Sequence, residues 1–307
     1  MNDTVRFFVF SYNRGQFLAN CVRSIETCAP GAPIVVFDDY SSDPATCAVL
    51  QNIAVSHQVV RAGETTRHKL GGLYANMQAA LESAADDELV CFAQDDTQMV
   101  RALDDEDYRT LAACFAARPE LGFLSPAFIR GISRRGRRRI DFSYDAQLQL
   151  FFPRAGRPRA GVHFSDICLF RVDRLRAVGW RFGLGEPANN AQAAIHFGPM
   201  GYLRCPFLMW LPNGPAYRGK IKTLALRWAE RRRRGGFYPF RDLDPAAAER
   251  LRHAPVPLLP VAEDFLAIAH GELDRPWVYD PVQGATLLKH ANRAELLLRR
   301  YLPTRKR

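Results

Sequence analysis

The 307-residue sequence has no apolar run suited to a leader or a membrane span. Its first residues, MNDTVRFFVFSYNR, lack the long apolar stretch of a signal peptide, and Arg6 interrupts what there is. The longest other candidate, residues 205–217, is broken by prolines and falls short of the roughly 20 residues a spanning helix needs. The expectation is a cytoplasmic protein, soluble or peripheral to the inner face of the cell membrane. The seven cysteines are odd in number and show no C-x2-C spacing, which argues against a zinc ribbon or a disulfide framework and fits free thiols in a reducing compartment. No internal repeat at solenoid periods is present. No zinc-finger, RRM or helix-turn-helix pattern accompanies the basic runs, and aromatics are not interleaved with them, so nucleic acid is not an expected partner.

What is present is an ordinary globular composition, 48% hydrophobic and 24% charged, on a chain long enough for a sizeable core. The charge is unevenly placed. Residues 1–125 carry 9 Lys and Arg against 17 Asp and Glu, and residues 126–307 carry 33 against 15. An acidic first third and a strongly basic remainder point to contact with a polyanion, an anionic membrane surface or a phosphate-bearing substrate. The runs Arg134–Arg139, Arg231–Arg234 and Arg305–Arg307 also fit a solvated face, and of the possible partners an anionic membrane surface suits them best.

Short apolar runs alternate with helical patterns over the first hundred residues. VRFFVF (5–10), PIVVFD (33–38), HQVVR (57–61) and ELVCFA (88–93) predict strands, three of them apolar enough for burial on both faces. Helices are predicted over 16–28, over 44–54 with Asp43 as N-cap and Pro44 at the first helical position, and over 72–83. Strands joined by crossover helices imply a parallel, doubly wound sheet. Further on, a helix follows Leu103, a hairpin is expected to turn at 134–139, DICLFRV and GYLRCPFLMWL read as strands, and a helix is expected around Asn189–Phe197. From residue 216 the character becomes helical and arginine-rich, ending in a stripe of Leu287, Leu288, Ala291, Ala294, Leu298 and Tyr301. The expected organisation is a domain over 1–215, with a ligand-binding half at 1–100 and a second half at 101–215, then a helical basic region over 216–307.

Four stretches concentrate polar and glycine residues at one edge of such a sheet: FSYNRG after the first strand, FDDYSSD at the end of the second, RHKLGGLYAN opening the third helix and FAQDD closing the fourth strand. Each alone fits a capped turn. In order and spacing, Ser11-Tyr12-Asn13-Arg14, Val35 to Asp43, Lys69 to Asn76 and Gln94-Asp95-Asp96 resemble the family 2 glycosyltransferases of GT-A fold, whose patterns run T-Y-N-R, V-V-D-D-G-S-x-D, N-x-G-x-x-x-A-x-N and D-x-D. The resemblance implies an α/β fold, a Rossmann-like mixed, mostly parallel sheet flanked by helices. It also implies a nucleotide-diphospho-sugar donor site involving Tyr12, Arg14, Gln94 and Asp95. Asp39 would accept hydrogen bonds from the nucleotide base, with a lean to uridine, and Arg67 and Lys69 would hold the diphosphate. Asp96 matches the last carboxylate of D-x-D and would coordinate Mn²⁺ or Mg²⁺, hard cations suited to oxygen ligands. Gln94 departs from the first acid of that pattern but can still hydrogen-bond a ribose.

CLFRVDRLRAVGWRF (168–182) resembles the strand and turn of the family's second half. Where an acidic pair supplying the general base is expected, the chain has Asn189-Asn190, and an amide cannot take the acceptor's proton. Glu186 is the expected base, with Asp166 and His196 as alternatives. Asn213 is the nearest match to a histidine that often follows as a metal ligand. The expected activity is inverting, metal-dependent sugar transfer to a glycan or lipid-linked acceptor in polysaccharide biosynthesis. The alternative is a catalytically weak nucleotide-sugar-binding module of a glycan-assembly complex. Nucleotidyl transfer would want a G-x-G-x-R loop, which FSYNRGQ does not supply.

Overall fold

The computed structural model describes residues 4–61, 72–134, 141–154, 161–215 and 223–301. The first half runs β1 (Val5–Ser11), α1 (Gly15–Cys28), β2 (Ile34–Asp38), α2 (Pro44–Ile53), β3 (Gln58–Arg61), α3 (Gly72–Ser83), β4 (Leu89–Gln94), β5 (Thr97–Met99) and α4 (Asp105–Ala117). It continues through β6 (Leu124–Ser125), β7 (Phe142–Asp145), β8 (Leu150–Pro153), β9 (Cys168–Arg171), α5 (Val172–Ala177), α6 (Glu186–His196), β10 (Gly201–Leu203) and β11 (Leu208–Trp210). The last region holds α7 (Leu224–Arg232), α8 (Pro245–His253), α9 (Ala262–Phe265) and α10 (Thr286–Tyr301).

Local chemistry explains the elements of the first half. β1 and β2 are buried almost throughout, as strands covered on both faces must be. The Asp43 carboxylate accepts from the Thr46 amide at 2.8 Å ahead of Pro44, and Asp104 and Asp107 form a reciprocal capping box on α4. Gly15 opens α1 against α2, where a Cβ would lie 2.9 Å from the Thr46 Cα.

Among the described residues nine strands make one sheet in the order β3-β2-β1-β4-β9-β6-β10-β8-β7, with β5 and β11 paired separately. β1 is parallel to β2 and β4, and β2 to β3. The expected mixed, mostly parallel sheet is therefore present in its first half, and β9 enters it antiparallel to β4. That reversal matters for the site. The register pairs Phe92 with Cys168, so two steps further Asp166 falls opposite Gln94. The residues preceding β9 thus reach the same edge as the carboxyl ends of β1, β2 and β4.

Two sequence expectations change, and a third falls outside the described residues. A hairpin, β7–β8, turns over residues 146–149 with Gln149 at a φ of 54°, while the turn expected at 134–139 lies, beyond Arg134, outside the described residues. GYLRCPFLMWL is not one strand: β10 joins the large sheet between β6 and β8, and β11 pairs with β5. The helix expected around Asn189 starts at Glu186.

Two core layers flank the sheet, one between it and α1, α2 and α4, the other rich in aromatic rings that include Phe92, Phe123, Phe170 and Trp180. A third core joins the two regions of the sequence: Phe17, Val100, Phe128, Met209 and Leu211 pack with Phe240, Leu243, Leu251, Leu266 and Trp277. Gln98 stitches this junction, its amide donating to the Phe240 carbonyl at 2.9 Å and its carbonyl accepting from the Phe240 amide. All seven cysteines are free thiols. No helix among the described residues is long and apolar enough to cross a membrane.

Candidate active site

The carboxyl ends of β1, β2 and β4 are tied into one framework before any ligand is considered. The buried Asp38 carboxylate accepts from the Ser41 amide at 2.8 Å and from its hydroxyl at 2.5 Å. Asn13, held at a φ of 49°, accepts on its side-chain oxygen from the amides of Ser42 and Asp43, and its own amide donates to the Ser41 hydroxyl. The Asp95 carboxylate accepts from the Tyr12 amide at 3.0 Å, which fixes the β1 end against the β4 end. Asp39 donates its amide to the Ser11 carbonyl. Its carboxylate lies against the first turn of α3, so close that a Cβ on Gly72 would stand 1.9 Å from Oδ1. Any larger residue there would have to push the Asp39 carboxylate aside.

Beside this framework opens a cleft of about 480 Å³. One wall carries Tyr12, Arg14, Gln94, Asp95 and Asp96; the other carries Asp166, Glu186 and Arg130; and Trp210, Tyr279 and Asp280 close it. The Arg14 guanidinium bridges the first wall: Nη1 reaches Asp96 Oδ2 at 2.7 Å and Asp95 Oδ1 at 3.5 Å, and Nη2 donates to the Pro215 carbonyl at 2.7 Å. Asp95 and Asp96 hold this guanidinium charged despite its burial.

Whether these residues suit a divalent ion can be judged from the donor atoms. Asp96 Oδ1 is shielded from solvent and has no hydrogen-bond partner among the described residues. Such an orphaned oxygen beside a second carboxylate is a fitting ligand for a hard cation. No group of three His, Cys, Asp or Glu side chains able to hold an ion is found among the described residues. The carboxylates therefore suit Mg²⁺ or Mn²⁺ as partial ligands, the rest of the shell falling to phosphate oxygens and water.

On the facing wall Asp166 and Glu186 form a second, separate acidic centre. The Tyr74 hydroxyl donates to the Asp166 carboxylate, at 3.0 Å to one oxygen and 3.1 Å to the other. The Ser165 side chain and the Asp166 amide stand near the Glu186 carboxylate and favour its charged form. Burial raises the pKa of Asp166, and the neighbouring Glu186 charge adds to it, taking it to about 7. Burial also raises that of Glu186, against which Arg130, Ser165 and the Asp166 amide act. Two adjacent carboxyl groups in one partly dry wall resist double ionisation, so the pair retains a proton near neutrality. Arg130 is braced in turn by aromatic faces, 4.0 Å from the Trp210 ring centroid and 5.0 Å from that of Tyr279.

Of the residues singled out in the sequence, Tyr12, Arg14, Gln94, Asp95, Asp96, Asp166 and Glu186 converge on the cleft. Asp39 stands on the framework next to it without lining it. Arg67 and Lys69 lie outside the described residues. His196 is exposed at the far end of α6, about 15 Å along the axis from Glu186. Asn189 and Asn190 do not line the cleft. Asn189 is fully buried, donating to the carbonyls of Gly183 and Gly185 and accepting from the Gly183 amide. Asn190 accepts from the amides of His163 and Phe164. The two amides thus clamp the loops that carry Glu186 and Asp166. Asn213, at a φ of 53°, pairs with the backbone of Val278 and Arg233 and so joins the last region to the cleft wall. Tyr74, Arg130, Trp210 and Tyr279 carried no sequence signal beyond residue type; only β9's antiparallel entry and the return of the chain at 279–281 bring them together.

No family model and no curated protein matches the chain. Among solved structures it is similar to a mannosyltransferase from Pyrobaculum calidifontis in complex with GDP-Man and Mn²⁺, at 15% identity, covering 98% of this chain and 76% of that one, with a TM-score of 0.43. It is also similar to the bifunctional glycosyltransferase WbbM, at 13% identity over 66% of this chain and 39% of that one, TM-score 0.39. A third is glucosyl-3-phosphoglycerate synthase from Mycobacterium tuberculosis, solved with Mn²⁺ and UDP, at 17% identity over 42% of this chain and 45% of that one, TM-score 0.29.

Proposed function

We propose that the cleft is the active site of a metal-dependent, inverting glycosyltransferase that moves a sugar from a nucleoside-diphosphate donor to a glycan or lipid-linked acceptor. The observation that carries this reading is the pairing of two acidic centres on one cleft: Asp96 with its orphaned oxygen at the end of β4, and Glu186 with Asp166 on the facing wall. The first suits the anionic end of a donor and the second suits a proton acceptor.

In this reading Asp96, supported by Asp95, holds a divalent ion, which when bound neutralises charge on the leaving diphosphate. Tyr12, Arg14 and Gln94 bind the donor, Asp39 contacts its base, and Arg67 and Lys69 its phosphates. The acceptor hydroxyl oxygen bonds to the anomeric carbon as the bond from that carbon to the diphosphate breaks. Glu186 takes the hydroxyl proton, and the diphosphate leaves with the electron pair. Burial raises the basicity of Glu186, and Asp166, held by the Tyr74 hydroxyl, stands beside it on the same wall. The asparagine pair, one ground for a non-catalytic module beside Gln94 and Asn213, makes loop contacts instead of lining the cleft.

A screen of nucleotide sugars with Mn²⁺ tests the reading. Hydrolysis or transfer with at least one donor, lost in Asp96→Ala, is the expected result. Binding without turnover for every donor and acceptor would reassign the chain to the binding-module class.

A further inference from the structure

We propose that the outward face of α7 and α10 docks the protein on an anionic lipid surface, with the cleft opening beside the contact. The two helices spend their inner faces on each other: Leu226, Ala229, Val282 and Leu288 form a small core, and the Thr223 hydroxyl donates to the Asn292 side chain at 2.6 Å. Their outer face keeps an apolar stripe. Leu287, Ala291, Ala294 and Leu298 recur at helical spacing on α10, and Leu287 and Leu298 are 86% and 63% exposed. On α7, opposite its buried Leu226 and Ala229, Leu224 and Trp228 are 71% and 50% exposed.

The flanks of this stripe are cationic. Arg227, Arg231 and Arg232 are exposed on α7 around Trp228, and Arg232 sits over the Trp228 ring at 5.2 Å. Of the acids, Glu295 is engaged on the Leu224 amide at 2.7 Å. An apolar stripe edged by arginine and carrying an exposed tryptophan has the chemistry of a helix lying in a lipid headgroup layer. A second copy would bring like charges face to face, which charge complementarity disfavours. Residues 279–283 connect the face to the cleft, with Tyr279, Asp280 and Pro281 in the cleft wall and Val282 in the helix-pair core. The Arg233 guanidinium donates to the Gln283 carbonyl across this link. This inference goes beyond sugar transfer and stands without it.

The test uses the full chain and vesicles of phosphatidylcholine with or without phosphatidylglycerol. The protein is expected to sediment with the anionic vesicles only, and release is expected in high salt, where surface charge is screened. Trp180 and Trp277 are buried and Trp210 is half-buried against Arg130 in the cleft wall, so the blue shift on binding should vanish in Trp228→Phe, and one that persists there would place the contact at Trp210 and overturn the assignment of this face. The double variants Leu287→Ser with Leu298→Ser, and Arg231→Glu with Arg232→Glu, should each lower partitioning by about tenfold or more with an unchanged melting curve. Absence of vesicle binding, or equal binding by wild type and both variants, would overturn the proposal. Self-association that disappears in the leucine variant, without vesicle binding, would assign the face to a second copy instead. Nucleotide binding read without lipid on the same samples separates failure here from failure of the transferase reading.

Discussion

Arg14 Nη1 stands 2.7 Å from Asp96 Oδ2, so the carboxylate best suited to a metal already has a cation on it. A divalent ion must share Asp96 with this guanidinium or displace it, and a displaced guanidinium is left facing a diphosphate. Mn²⁺ affinity of the donor-free protein, measured by calorimetry or electron paramagnetic resonance, should rise about tenfold in Arg14→Gln, because a competing charge at contact distance is removed. Nucleoside diphosphate affinity should fall in the same variant. If Arg14→Gln binds Mn²⁺ no better than wild type, the ion does not use Asp96.

Glu186→Gln should lower turnover by about two orders of magnitude or more with donor affinity unchanged, as expected when a positioned base is lost. Retention of full activity would move the base elsewhere.

Asp166→Asn removes the like charge beside Glu186. Burial and the Glu186 charge raise the pKa of Asp166 to about 7, and burial raises that of Glu186, so the acid limb of the rate profile lies higher than for an isolated carboxylate. In Asp166→Asn this limb should move down by about one pH unit. The stability effect has the opposite pH sense to an ordinary ion pair. Groups whose folded pKa is raised favour the fold at low pH and lose that contribution as pH rises through the folded value, so the variant should gain Tm over wild type at pH 8 more than at pH 5. An unmoved acid limb would mean that the two carboxyl groups do not interact.

Asn189→Asp would write in an acid where the family pattern expects one. The side chain is fully buried and its amide donates to two carbonyls, which an aspartate cannot do. Stability in urea should drop by about 3 kcal/mol, with no gain in activity per folded molecule. A more active Asn189→Asp protein would contradict the structural role of this amide.

Gly72→Ala drives a methyl group into the Asp39 carboxylate. Nucleotide affinity should weaken by about tenfold, the scale of one displaced charge-assisted contact. An unchanged affinity would remove Asp39 from the donor site.

The first half of the fold was legible because its signals are local. β1, β2 and β4 are unbroken apolar runs, and α2 and α4 announce their starts with Asp43-Pro44 and Asp104. The cleft wall of Tyr12, Arg14 and Asp96 was legible for the same reason, since these residues follow those strands directly. The β7–β8 turn was not, because residues 146–149 contain neither glycine nor proline and the left-handed position falls to Gln149. Glu186 and the asparagine pair could be told apart only by hydrogen-bond geometry, since spacing put Asn189-Asn190 where the acids were expected. Tyr279 lies more than 260 positions from Tyr12, and no local pattern foretells that they line one cleft.

The third core, in which Phe17 and Met209 pack with Phe240 and Trp277, has a consequence for synthesis on the ribosome. A nascent chain that has emerged to residue 215 presents those apolar surfaces uncovered and a cleft lacking Tyr279 and Asp280. Vectorial folding can finish β1 to β4 early, but closure of the cleft waits for residues up to Pro281 to leave the exit tunnel.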